Sequence, residues 1–174
     1  MTTAARETAV GPRGTQDRNP CSTTLTRMEL RFSAATEVAA ARERVIELTH
    51  TTDLETVQRF DPRVIAVATN GVPEGQAGQV ARVTARHGTK DMVMTITAVE
   101  VNLPEYQVER YEGSGPDHVT RTQYTVLPDG GTRIELVTTF TVPWWNPLLA
   151  LALRAVAPRS MAGSLARIKE LVDG

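Results

Sequence analysis

Apolar and polar positions begin to alternate at residue 28. Met28, Leu30 and Phe32 alternate with Glu29 and Arg31, which predicts a half-buried strand. The period then lengthens. Val38, Ala41, Val45 and Leu48 share one face at helical spacing, and Thr36 stands where a cap would be. Leu54, Val57 and Phe60 repeat that spacing behind Asp53. A second short helix is therefore expected, capped by Asp53 and stopped at Asp61-Pro62.

From residue 64 the period returns to two. Strands are expected at 64–69, 79–85, 91–100, 106–112, 118–127 and 132–142, with Gly, Pro or Asn breaks between them. The last two meet through Pro128-Asp129-Gly130-Gly131. A two-residue turn would set Tyr124 opposite Glu135. A three-residue loop sets Tyr124 opposite Leu136, Val126 opposite Ile134 and Thr120 opposite Phe140, which gathers the apolar residues on one face. The second register is expected, with Gly131 in the left-handed position.

The C-terminal stretch organises the rest. Asn146-Pro147 supplies a cap and a first turn. Residues 148–153 are apolar on nearly every side, so this part of the helix should be enclosed by other structure. Past Pro158, Met161, Leu165, Ile168 and Val172 form a single stripe. One long helix, kinked at Pro158, is expected to cover the apolar face of the sheet. The fold class is α+β: a curved antiparallel sheet of about seven strands in the order β-α-α-β6-α around a long C-terminal helix.

Composition narrows the function without naming it. The 174 residues are 41% hydrophobic and 22% charged, as expected of one globular domain. Residues 1–26 lack apolar periodicity and read as a disordered tail, leaving 27–174 as the domain. A net charge of −1 gives no support to nucleic-acid binding. The lone cysteine, Cys21, leaves no internal disulfide. His50, His87 and His118 do not share a ligand spacing, and no phosphate loop or dinucleotide fingerprint is present. No metal or cofactor is expected. No stretch is long and apolar enough to span a bilayer or to form a secretory leader, so the expected compartment is the cytoplasm.

The element order is similar to the helix-grip fold of the START-like, or SRPBCC, superfamily. The resemblance rests on the first strand ending in Phe32-Ser33-Ala34, on the helix opening at Thr36-Glu37-Val38, on Phe60-Asp61-Pro62-Arg63-Val64, on the hairpin 127–134 and on the closing 165–171. That superfamily includes pollen allergens, lipid-transfer START domains and the polyketide cyclase/dehydrase family. It implies a cavity between sheet and helix, lined by Met92, Met94, Ile96, Tyr106, Val108, Arg110, Tyr124, Ile134, Leu136, Phe140, Leu149 and Leu153. An inward Arg110 would bind a ligand carboxylate or enolate oxygen. The implied function is binding of a hydrophobic small molecule such as a lipid, polyketide or isoprenoid. The alternative is a cyclase or dehydrase acting in the same cavity. An apolar lining favours the carrier and a polar wall the enzyme. Trp144 and Trp145 either close the end of the core or form a patch for a membrane or partner.

Overall fold

The computed structural model describes residues 27–173, and the expected N-terminal tail lies outside them. Strand β1 (Arg27–Val38) is longer than its opening alternation. It pairs along its whole length with β7 (Thr132–Pro143), including Ala34 with Leu136, Thr36 with Ile134 and Val38 with Thr132. Thr36 and Val38 are therefore strand residues and do not open a helix. The ladder outweighs a helical spacing that Val38 shares by coincidence with Val45. Helix α1 (Arg42–Thr49) begins later, behind Ala41, whose side chain supplies no cap. Helix α2 (Leu54–Phe60) is capped as expected: Thr56 N–H donates to the Asp53 carboxylate at 2.9 Å.

The remaining strands are β2 (Val64–Thr69), β3 (Val80–His87), β4 (Lys90–Asn102), β5 (Tyr106–Gly113) and β6 (His118–Val126). All seven strands form one antiparallel sheet in the order β1-β7-β6-β5-β4-β3-β2. Helices α1 and α2 carry the chain from one edge strand to the other. This is the expected α+β helix-grip architecture, closed by helix α3 (Pro147–Asp173).

The β6–β7 register differs from the expected one by two residues. Tyr124 faces Ile134, Thr122 faces Leu136 and Val126 faces Thr132. A shift of two keeps every side chain on its expected face. The loop has three residues but is displaced by one: Leu127 N–H donates to the Gly131 carbonyl, and Gly130, at φ +87°, takes the left-handed position. Gly131 is required for another reason. A Cβ there would lie 2.6 Å from the Val38 carbonyl oxygen.

The core has two centres. At one end Leu30, Phe140 and Val142 of the sheet meet Ala150, Leu153 and Ala157 of α3. At the other, Val38, Val45, Tyr124 and Ile134 meet Leu165. Burying a leucine is worth about 1.5–3 kcal/mol, so Leu153 and Leu165 clamp α3 at two points. Its C-terminal end is also tied polarly: Lys169 Nζ donates to the Glu37 carbonyl, and Ala39 N–H donates to Asp173 Oδ1. Asn146 Oδ1 accepts from Leu149 N–H at 3.1 Å and caps the start. The first half of α3 is not enclosed. Leu148 is 76% exposed and Leu151 63%, because the sheet covers one side of the helix and nothing in the described residues covers the other.

Candidate functional site

The site is organised by β5, whose inward face is the polar one. Gln107 pairs with Thr122, Glu109 with Thr120 and Tyr111 with His118, and this set lines the spaces under α3 and α2. Tyr106, Val108 and Arg110 therefore point to the opposite face, where they pair with Gln123, Arg121 and Val119. The expectation that they line the cavity is corrected here. Period two was right, but the apolar set was assigned to the inside, and this strand inverts that rule. Outside, Tyr106 donates to Glu100 and carries the Arg121 guanidinium 3.6 Å above its ring. Arg110 is exposed and edges an outer groove.

The cavity between sheet and α3 has a volume of about 320 Å³. Its sheet wall carries Glu109, Tyr111, His118, Thr120, Thr122, Tyr124 and Thr138, with Leu136 and Phe140 among them. α3 contributes Ser160, Met161, Ser164 and Ile168, and α1 with the residue after it contributes Thr49 and His50. A smaller chamber of about 190 Å³ lies under α2 and shares Thr49, His50, Glu109 and Tyr111 with the first. Of the other expected lining residues, Ile96 lines the smaller chamber. Met94 shares its face but stands outside both linings. Met92 lies at the outer end of β4 and is 36% exposed. Ile134 and Leu153 are packed in the two cores, and Leu149 packs at the rim and edges the outer groove.

Two hydrogen-bonded groups meet at the shared wall. Glu109 accepts from the Tyr111 hydroxyl at 2.7 Å and from Gln107 Nε2 at 2.9 Å. His50 Nε2 lies 2.6 Å from the Tyr124 hydroxyl, and its Nδ1 stands 3.9 Å from Glu109 Oε1. Thr49 donates its only proton to the Val45 carbonyl at 2.8 Å. With that proton committed, the Tyr124 hydroxyl donates to His50 Nε2 at 2.6 Å rather than to Thr49 Oγ1 at the longer 3.2 Å, and the Nδ1–H tautomer directs its proton towards Glu109. Burial holds the His50 pKa below 6.5, opposed by the charges of Glu109 and then Glu74. Burial also raises the Tyr111 phenol well above its ordinary range, an effect that Glu109 reinforces, and it raises Tyr124 similarly. Both phenols remain protonated donors at neutral pH.

His118 stacks on Tyr111, with ring centroids 4.6 Å apart, and lies tilted against Phe140 at 4.8 Å. Its Nδ1 donates to the Pro116 carbonyl. The sequence carried signals for this wall in the alternation Gln107-Glu109-Tyr111 and the threonines at 120, 122 and 138. His50 had none, since it reaches the wall only through the fold of α1 over the sheet. Among the described residues, no group of three or more His, Cys, Asp or Glu side chains is arranged to hold a metal. No helix of the described residues is long and apolar enough to cross a membrane.

A sheet gripping a long helix over a cavity defines the helix-grip class, and solved structures share it. The Ara h 8.0201 structure superposes with a TM-score of 0.69 at 17% identity, covering 83% of this chain and 98% of that one. The Zhui aromatase/cyclase from Streptomyces sp. R1128 gives 0.64 at 17%, covering 83% and 94%. Truncated norcoclaurine synthase from Thalictrum flavum gives 0.65 at 12%, covering 84% and 95%. At such identities the likeness is one of fold. Residues 29–173 match the family described as polyketide cyclase / dehydrase and lipid transport, and the chain belongs to it. No curated protein matches the chain in sequence.

Proposed function

We propose that the cavity binds a small, ring-bearing molecule decorated with carbonyl or hydroxyl groups, and that Glu109 moves a proton on it in a cyclase- or dehydratase-type reaction. The observation that carries this reading is the buried meeting of Glu109, Tyr111, His50 and Tyr124 on one cavity wall. A carrier of plain acyl chains gains nothing from such a wall, because each polar group costs free energy unless it stays paired. The family's description, polyketide cyclase / dehydrase and lipid transport, supports a reaction of this class.

In this reading the Glu109 carboxylate takes a proton from a carbon next to a ligand carbonyl. The C–H electron pair becomes the enolate double bond, and the carbonyl oxygen takes the charge. Hydroxyls of the wall and of Ser160 or Ser164 on α3 donate to that oxygen. Leu136, Phe140, Met161 and Ile168 hold the ring.

The test is exchange of the α-protons of 2-tetralone in deuterated buffer, followed by proton NMR. The native chain should bind it and accelerate exchange, and Glu109→Gln should lower that rate by at least about tenfold while still binding. Binding without acceleration by the native chain would replace catalysis with carriage. No binding at all would remove the reading.

A further inference from the structure

The outward side of α3 is apolar where a covering helix is ordinarily polar. Leu148, Ala152 and Ala155 form an exposed stripe at helical spacing, flanked by Leu151 and Val156. Trp144 and Trp145 precede it at 63% and 65% exposure, so neither tryptophan closes the core. From Trp144 to Lys169 the sequence has Arg154, Arg159, Arg167 and Lys169 and no Asp or Glu. Arg154 and Arg159 are exposed and form no ion pair among the described residues.

We propose that this face docks on an anionic lipid surface. Indoles settle at the headgroup level of a bilayer, leucines reach the acyl boundary, and arginines meet phosphates. Charge decides against a second copy of the chain. A two-fold contact places the same patch against itself, which would bring Arg154 and Arg159 towards their own copies. The whole chain has a net charge of −1, so the attraction is local to this face.

The placement also suits a ligand that dissolves in lipid. Trp144, Trp145 and Leu149 edge an open groove of about 870 Å³ that includes His118, and His118 lines the inner cavity too. His118 thus stands between the groove beside the docking face and the inner cavity. Lipid docking itself needs no cavity ligand, so it is measured independently of the proposed reaction.

The full chain is mixed with vesicles of phosphatidylglycerol and phosphatidylcholine in equal parts, and separately with phosphatidylcholine alone. It should co-sediment with the anionic vesicles, with a blue shift of tryptophan emission. Binding should fall by at least about tenfold in Leu148→Gln/Leu151→Gln and in Arg154→Glu/Arg159→Glu, and also in about 0.5 M salt. Far-UV circular dichroism should be unchanged, since all four positions are exposed. The proposal is overturned if the native chain binds neither vesicle, or if both variants bind as well as it does. It is also overturned if sedimentation equilibrium shows a native dimer that Leu148→Gln/Leu151→Gln dissociates, which would assign the face to a second copy.

Discussion

His50 joins the two chambers because it is buried neutral. Desolvation lowers its pKa below 6.5, and Glu109 and Glu74 offset only part of that. In the unfolded chain the imidazole titrates near its ordinary value of about 6.5. Above that pH it is neutral in both states and its titration adds no pH dependence. As the pH falls below it, the unfolded chain binds a proton that the folded chain resists, so stability declines towards the folded pKa. The thermal midpoint is expected to drop between about pH 7.5 and 5.5. His50→Gln, which retains a hydrogen-bonding group, should flatten that slope. Aspartates such as Asp53 and Asp61 have depressed pKa values and titrate below about pH 4, outside this window. Equal slopes in the two proteins would mean that folding does not shift the His50 pKa.

At the scale of elements, the sequence was most legible where apolar residues fill an ordinary core. The faces of β6 and β7 follow from placing Tyr124, Ile134, Leu136 and Phe140 together. Their register was missed by two because alternation is unchanged by such a slip. β5 was read with its faces exchanged. Its inner set, Gln107, Glu109 and Tyr111, is polar because the cavity is, and hydrophobicity alone assigns the set to solvent. The first half of α3 failed in the opposite sense: a segment apolar on all sides reads as enclosed, yet its outer face meets solvent. Both misreadings fall on the site or the proposed docking face, where a residue serves something other than packing. The β6–β7 hairpin gives an element-level test. Gly131→Val should destabilise by more than about 1 kcal/mol, because its Cβ would press on the Val38 carbonyl of β1. Gly130→Ala should cost roughly 1 kcal/mol from its positive φ alone, since open space surrounds it. Chemical denaturation measures both. Equal tolerance of the two changes would refute the close approach of β1 to the loop.

Across the whole molecule, the sheet and α3 touch at two packed ends and part between them. Leu153 belongs to one end, against Leu30, Phe140 and Val142. Leu165 belongs to the other, against Val38, Tyr124 and Ile134. Ser160 and Ser164 lie on the helix between these clamps and face the space rather than a partner surface. A larger side chain should therefore be tolerated at Ser164 and refused at Leu153. Ser164→Phe is expected to leave stability within about 0.5 kcal/mol of the native value, since it meets no packed neighbour. Leu153→Trp should cost about 1–3 kcal/mol, because overpacking a filled core forces strain. The same pair separates cavity from core in binding. Phenylalanine at 164 should occupy the ring's place and abolish the binding of 2-tetralone, read by NMR titration. Leu153→Trp should still bind it under conditions where the chain is folded. If Ser164→Phe destabilises as much as Leu153→Trp, the space is closed in solution. If it binds 2-tetralone as the native chain does, the ligand lies elsewhere. The smaller chamber under α2, which meets the same Glu109 and His50 from the other side, would then be the place to search.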